Sequence, residues 1–210
     1  MTDTSTMAPE DTKTLLLSAA KKLFSEKGYD GTTVKEVADL AGVNVSLVSY
    51  HFSGKENLYR TIIEEFGLKR LSASERILKT PQSLDDFRVR LTLFLEDFFE
   101  DATKDPEITN IMHRECIGMH EMTMDIFEKT FRKSFEYLVE FLITAQKAGF
   151  IAPWVVPHYS AMIVMGGAIQ AVHMDPMHKK IFKRSNIHEP ELRDRLIQNT
   201  VRMLIEGLSV

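Results

Sequence analysis

The sequence predicts an all-α chain in two parts, a compact N-terminal unit of short helices and a larger C-terminal bundle of long ones. Apolar residues recur at helical spacing along nearly the whole chain. No run of alternating polar and apolar residues bounded by turns indicates a strand. After Pro81 the helical segments become much longer. Together these three observations favour a helical bundle over a mixed fold.

The composition limits the classes of protein to consider. The 210 residues are 44% hydrophobic and 27% charged, as in an ordinary globular chain. A single cysteine, Cys116, excludes an internal disulfide framework and predicts a reducing, cytoplasmic location. The longest apolar run, residues 161–172, is shorter than the roughly 18 residues that a membrane-spanning helix needs. The formal net charge is −4, so a nucleic-acid partner would have to be recognised by geometry more than by bulk charge.

The first two helices are predicted by their apolar stripes and their end signals. The first stripe ends at Gly28, a typical C-terminal stop; its members are Leu16, Ala19, Ala20, Leu23 and Phe24. Thr33 and Glu36 have the spacing of a capping box, which predicts the start of a second short helix. That helix should end at Gly42.

A third short helix is predicted at residues 44–50, and a fourth begins after the Ser53-Gly54 break and runs to about Leu78. The third helix is too polar on one face to be ordinary core. Two short helices joined by a tight turn, the second with small polar residues, match a helix-turn-helix, whose second helix enters the major groove of DNA. The bland alternative is a helical hairpin that only packs against its neighbours.

The rest of the chain predicts the bundle. Proline and glycine mark the helix boundaries, and the expected helices cover residues 84–102, 106–118, 122–148, 158–174 and 190–207.

The residues from Leu16 to Tyr59 carry a family resemblance. The pattern L-L-S-A-A-x-x-L-F-x-x-x-G-Y-x-x-T-T-V-x-x-V-A-x-x-A-G-V-N…Y-H-F-x-x-K-E-N-L resembles the DNA-binding domain of the TetR family of transcriptional regulators. The resemblance covers about a fifth of the chain. It implies a ligand-responsive regulator, most often a repressor, which binds a pseudo-palindromic operator as a homodimer. The remaining helices fit the family's regulatory domain in length, number and order.

The resemblance also implies which residues meet DNA. Thr33 and Lys35 match phosphate-contacting positions at the start of the second helix, and His51 and Lys55 match backbone-contacting positions. The residues that match the recognition helix are Asn44, Val45, Ser46, Leu47, Ser49 and Tyr50. On chemical grounds, Asn44 could pair with adenine through both amide atoms, and Lys55 could hold a phosphate. The chain departs from the common family pattern at Val45, where many members have a lysine, and at Ser49, where a tyrosine is common.

The implied domain organisation is a flexible tail at residues 1–9, a helix-turn-helix DNA-binding domain at 10–56, and a helical regulatory and dimerisation domain at 57–210. Methionine and phenylalanine are usually core residues, but a bundle rich in them can also keep an adaptable cavity for a small hydrophobic effector. The candidate effector residues are Met112, His113, Cys116, Met119, Phe127, Phe131, Met162, Met165, Gln170 and His173. Small residues at 161–171 and the apolar stripe of the last helix predict a homodimer through the last two helices.

One alternative to a regulator of this kind uses His113, Cys116 and His120. Their spacing could place two imidazoles and a thiolate along one helical face, as a metal site or a redox sensor requires. An all-α enzyme could use His113, His120 and Glu121 in acid–base chemistry. However, the sequence has no nucleophile motif, no phosphate-binding loop and no complete metal triad. We therefore do not expect an enzyme, a bound metal or a cofactor.

Overall fold

The structure, a computed structural model, describes residues 9–118 and 120–208. Almost all of the tail predicted at residues 1–9 therefore lies outside the described residues. Within the described ranges the chain forms ten α-helices and one short 3-10 helix, without a strand, which confirms the all-α class. None of the described helices is both long enough and apolar enough to cross a membrane.

The helices follow one another with short connections. Their bounds are α1 Pro9–Lys27, α2 Val34–Ala41, α3 Ser46–Phe52, α4 Lys55–Ile77, α5 Leu84–Lys104, α6 Pro106–Gly118, the 3-10 helix Glu121–Thr123, α7 Met124–Lys129, α8 Phe131–Lys147, α9 Pro157–Phe182 and α10 Pro190–Leu208.

The chain divides into two compact units. The first comprises the described residues up to Gly67 together with Pro106–Ile126, and the second comprises Leu68–Asp105 and the described residues from Phe127 onward. The first unit is larger than the segment 10–56 predicted from the sequence, because it includes the first half of α4 and all of α6. The functional boundary near residue 56 stays a prediction.

The core of the first unit forms where α1 packs against α2, α3 and α6. Its buried side chains include Leu16, Phe24, Val37, Val48 and Leu58. Leu16 and Phe24 are members of the predicted first stripe, and burying all five side chains removes their aliphatic and aromatic surface from water.

The core of the second unit lies among α5, α8, α9 and α10. Phe87 of α5 and Phe141 of α8 are both buried and stack with ring centroids 5.0 Å apart. Buried Arg70 of α4 binds Asp97 and Asp101 of α5, and the Arg70–Asp101 bond measures 2.9 Å. A buried guanidinium requires such partners, because an unpaired charge away from water is very costly.

Two helix boundaries differ from the prediction. The single helix expected at 122–148 is interrupted, since Thr130, with φ −118° and ψ −68°, separates α7 from α8. The helix expected to end at residue 174 continues through Pro176 to Phe182. Buried Asp175 accepts hydrogen bonds from the Ser185 hydroxyl and the Asn186 N–H, both at 2.8 Å. We infer that these bonds, which fix the turn after α9, offset the local cost of the proline.

Candidate nucleic-acid interface

The α2–turn–α3 segment has strong local signals at each end of α2. The Thr33 side chain accepts the Glu36 N–H at 3.2 Å, and a Glu36 carboxylate oxygen accepts the Thr33 N–H at 2.9 Å, which confirms the capping box. Gly42 ends α2 in the left-handed conformation, with φ +69°. A residue with a β-carbon would be strained there. The turn therefore has a defined geometry, and α3 begins four residues later.

The N-terminus of α2 is held by a network of charged groups. The Lys27 ammonium group donates to a Glu36 carboxylate oxygen at 2.6 Å. This bond, followed by the bonds from Thr33, lowers the pKa of Glu36 to about 2. The network fixes Thr33, which is exposed, while the neighbouring Lys35 is exposed as well. Both predicted phosphate-contacting residues therefore lie at the surface.

One face of α3 is buried and the other is open to solvent. Val48 and Phe52 are buried. Tyr50 is 77% exposed and Val45 is 46% exposed. Ser46 and Ser49 are exposed too, whereas Leu47 and His51 are half-buried. An exposed face with hydroxyl groups, an aromatic ring and an aliphatic side chain has the donors, acceptors and apolar surface needed to read base edges.

Asn44 has a structural partner that the sequence did not predict. Its side-chain oxygen accepts the Ser46 N–H at 2.9 Å and the Ser46 hydroxyl at 2.7 Å. These bonds form a local turn directly before α3, whose first helical residue is Ser46. A two-bond pairing with adenine uses the same amide oxygen. The chemical argument for adenine reading is therefore weaker than it was for an unbound side chain, although Asn44 is exposed.

Lys55 is also occupied by contacts within the protein. Its ammonium group donates to the carbonyl oxygens of Tyr29 at 2.9 Å and Thr32 at 3.1 Å. It also lies 4.1 Å from the centroid of the Tyr29 ring. An ammonium group has three N–H donors, so one remains for a phosphate. Lys55 thus ties the α1–α2 turn to the start of α4, in contrast to the free phosphate clamp that the sequence suggested.

Tyr29 is the residue that sequence reasoning missed. It provides both a carbonyl acceptor and an aromatic face for Lys55. The available signal was its position directly after Gly28, the left-handed residue that ends α1, with φ +76°. An aromatic residue directly after such a glycine folds back over the helix end.

The candidate effector residues are divided between the two units. In the first unit, Met112 and His113 are half-buried on α6 and Cys116 is exposed. Although the residue is exposed as a whole, partial burial of its thiol, followed by the neighbouring Glu115 charge, raises the pKa of Cys116, which disfavours the reactive thiolate. Met119 lies outside the described residues.

In the second unit, Phe127 and Phe131 contact each other with ring centroids 4.7 Å apart. Met165 packs against the core and His173 is half-buried, whereas Met162 and Gln170 are exposed on α9. A surface groove of about 840 Å³ also lies in this unit, lined by α10 and Arg88 of α5. None of the predicted effector residues lines this groove, so their role stays a prediction.

The metal alternative receives no geometric support from the described part of the chain. There, no three His, Cys, Asp or Glu side chains form a group that could hold a metal ion. The reason is local, because α6 ends at Gly118 and His120 is not on the same helical face as His113. The Nδ1 atom of His120 instead lies 2.8 Å from a carboxylate oxygen of Glu115.

Comparison with known proteins identifies relatives of this segment and of the whole chain. The profile of the tetR family of bacterial regulatory proteins matches residues 16–62. The probable HTH-type transcriptional regulator YttP of Bacillus subtilis (strain 168) is 44% identical over 55 residues, which are 26% of this chain. That match spans only 27% of the length of YttP.

Two further comparisons extend over the full length. The HTH-type transcriptional regulator RutR of Escherichia coli (strain K12) is 22% identical over 209 residues, covering 93% of this chain and 90% of RutR. The crystal structure of HlyIIR, a hemolysin II transcriptional regulator, has a TM-score of 0.60 and 28% identity. It covers 97% of this chain and 99% of HlyIIR. The similarity therefore includes the C-terminal helices as well as the helix-turn-helix.

Proposed function

Because this chain belongs to the TetR family of DNA-binding transcriptional regulators, we propose that it is a homodimeric repressor that small hydrophobic molecules release from a pseudo-palindromic operator. A repressor is the simplest form of such a regulator. Occupying an operator that overlaps a promoter is enough to block transcription, and no further protein surface is needed. We place it in the cytoplasm, where such an operator would be reached.

The exposed face of α3 is the observation that carries the DNA-binding proposal. Ser46, Ser49 and Tyr50 present hydroxyl groups there, and Val45 presents methyl groups that could contact thymine. The side chains that hold α3 in place, Val48 and Phe52, are on its buried face. Reading DNA therefore requires no rearrangement of the core.

Thr33 and Lys35 support the phosphate contacts. Both are exposed, and both are at the N-terminus of α2, where the helix dipole favours a negative charge. In this proposal His51 and the remaining N–H of Lys55 add further backbone contacts. Contacts of this kind fix the position of the protein on the duplex, and the face of α3 supplies the sequence preference.

The dimer proposal is supported by the exposed apolar surface of α9 and α10. On α9, Tyr159 and Ile163 are 62% and 72% exposed, and the adjacent Gly166 has open space where a β-carbon would be. Met203 of α10 is 67% exposed. Apolar side chains next to a glycine allow two helices to approach closely, and a second copy is the partner we propose. Two reading heads would then bind half-sites about 34–36 Å apart.

The effector proposal is supported by the content of apolar side chains in the helices after α5. Phe127, Phe131 and Met165 are partly buried aromatic and thioether groups that can rearrange around a ligand. His173 is the proposed polar anchor within the second unit. An effector that binds the DNA-free conformation more tightly than the DNA-binding conformation lowers the DNA affinity by the ratio of its two affinities.

The first experiment measures DNA binding by the full-length protein. Duplexes would be selected from a random library by the wild-type protein, and the dissociation constant of the best duplex would be measured at two salt concentrations. We expect selective binding, because the face of α3 contacts base edges. Tyr50→Ala should remain folded, since the side chain is exposed, and should weaken binding by about 1–3 kcal/mol if it reads a base.

The matched control is Trp154→Ala. This variant removes another exposed aromatic side chain, 69% exposed, from the connection between α8 and α9 instead of from α3. Equal affinity of wild type and Tyr50→Ala for the selected duplex would contradict the assignment of the reading face. Failure of the wild type to enrich any duplex would contradict specific DNA recognition in the unliganded state.

A separate measurement distinguishes a sensor from an enzyme. Long-chain fatty acids and aromatic carboxylates would be added to the preformed protein–duplex complex, and the compounds recovered afterward. A sensor releases the duplex and returns the compound unchanged, because binding alone shifts the equilibrium. Chemical conversion of a releasing compound would support the enzyme alternative.

A further inference from the structure

Glu115 is a buried carboxyl group that the DNA-contact scheme does not use. It is 1% exposed on α6. The Tyr59 hydroxyl donates to its Oε2 atom at 2.8 Å, and the His120 Nδ1 atom lies 2.8 Å from the same oxygen. The Thr123 hydroxyl bonds the other oxygen. One side chain therefore connects α4, α6 and the 3-10 helix, and removing its carboxylate would leave the Tyr59 hydroxyl buried without this acceptor.

Tyr59 carries this connection into the aromatic core of the first unit. It is 3% exposed, and its ring packs against Phe24 at 4.9 Å and Tyr29 at 5.0 Å between centroids. Burial, followed by the hydrogen bond to Glu115, raises the pKa of Tyr59 far above that of an ordinary phenol. Its hydroxyl therefore keeps its proton at neutral pH and can donate to the Glu115 carboxylate.

Tyr29 continues the path to the start of α2. Its carbonyl oxygen and its ring both contact the Lys55 ammonium group, which also binds the Thr32 carbonyl oxygen. The next residue, Thr33, is the N-cap of α2 and a proposed phosphate contact. Every step from Glu115 to this cap is a direct contact within the first unit.

We propose that Glu115 is a positioning residue for DNA binding. Its hydrogen bond to Tyr59 fixes the aromatic ring that supports the α1–α2 turn, and the turn in turn fixes the N-terminus of α2. Glu115 does not itself touch DNA. The proposal rests on the proposed function for its DNA consequence, whereas its structural consequence can be measured without DNA.

Two substitutions of similar size separate hydrogen bonding from packing. In Glu115→Gln, the amide oxygen can accept from Tyr59, and the amide N–H can donate to the Thr123 oxygen. The Thr123 hydroxyl then donates to the His120 carbonyl oxygen, which lies 2.9 Å away. Glu115→Met fills the same space without an acceptor. If Glu115 only fills space, both variants should behave like the wild type. If its hydrogen bond positions Tyr59, only Glu115→Gln should behave like the wild type.

The decisive experiment is amide hydrogen exchange on the full-length protein without DNA. We expect the amides of residues 32–37 to exchange about tenfold faster in Glu115→Met, the factor expected for loss of one hydrogen bond at a buried group. Glu115→Gln should remain within about twofold of wild type. Tyr59→Phe removes only a hydroxyl group and should show the same faster exchange as Glu115→Met. If Glu115→Met does not fold, the exchange of Tyr59→Phe decides the question. Unchanged exchange at residues 32–37 in Tyr59→Phe and Glu115→Met would overturn the proposal.

The second measurement uses the duplex selected by the wild-type protein. We expect Glu115→Met to bind it about tenfold more weakly at temperatures where all variants are folded, and Glu115→Gln to bind normally. Glu121→Gln is the control, since it removes an exposed charge from the adjacent 3-10 helix. Faster exchange with unchanged DNA affinity would overturn the role in DNA binding. If the wild type selects no duplex, the proposed function fails, and the exchange measurement still decides whether Glu115 positions the turn.

Discussion

Lys55→Met tests whether this lysine holds the protein together or mainly holds DNA. The substitution keeps the aliphatic stem and removes the ammonium group. That group makes two hydrogen bonds, of 2.9 and 3.1 Å, to carbonyl oxygens of the α1–α2 turn and lies 4.1 Å from the Tyr29 ring centroid. At a half-buried site each bond contributes about 1 kcal/mol and the cation–π contact about 0.5–1 kcal/mol. We therefore expect a loss of about 2–3 kcal/mol in the free energy of unfolding.

Urea unfolding followed by far-ultraviolet circular dichroism measures this loss, with hydrogen exchange of residues 28–34 as the local readout. A slope near 2–3 kcal/mol per molar urea converts it into a midpoint lower by about 1 M. Lys147→Met, which removes an exposed lysine from α8, is the control for the change of charge. An unchanged midpoint, combined with a salt dependence of DNA binding reduced by about one phosphate contact, would refute the structural role.

Three further substitutions test other parts of the structure. Glu36→Gln should lower stability at neutral pH but not at pH 2, because the folded-state pKa of Glu36 is about 2 against an ordinary value of 4.5. Its stabilisation is therefore lost as the pH falls through this range, which urea midpoints at several pH values would show. Phe87→Ala should cost about 3–5 kcal/mol in urea unfolding, since the ring is fully buried against Phe141; a cost below 1 kcal/mol would contradict the packing. Asp175→Ala should cost about 2–3 kcal/mol and speed amide exchange at residues 185–186, because two hydrogen bonds lose their acceptor.

The sequence predicted the fold where local signals and burial agree. The Thr33 capping box, the left-handed Gly42 and the α6 bounds are determined by neighbours within a few residues, so they could be read directly. The break at Thr130 and the helix through Pro176 could not, because no glycine or proline marks the break and the proline does not end α9. The connection between Tyr59 and Glu115 joins residues 56 positions apart. No periodicity in the sequence reports a pairing of that separation.

In the candidate site, too, the sequence predicts positions but not the partners of individual side-chain atoms. A family pattern identifies which positions face DNA, but it does not show which atoms at those positions already have partners. Asn44 and Lys55 are the two residues with the strongest chemical case for DNA contact, and both bind the protein's own backbone. These bonds align the start of α3 and the turn before α2 in the absence of DNA, which lowers the ordering cost of association.

In the proposed interface, sequence preference falls mainly to the side chains of α3 that the fold leaves exposed. Ser49 offers one hydroxyl group, and Tyr50 offers a ring and a hydroxyl at 77% exposure. The Ser46 hydroxyl donates to Asn44, so toward DNA it can act only as an acceptor unless that bond breaks. An acceptor there suits the amino groups of adenine or cytosine and disfavours the carbonyl oxygens of guanine and thymine. In the proposed interface, the Asn44–Ser46 bond would therefore contribute to base discrimination, because it engages the Ser46 hydroxyl proton.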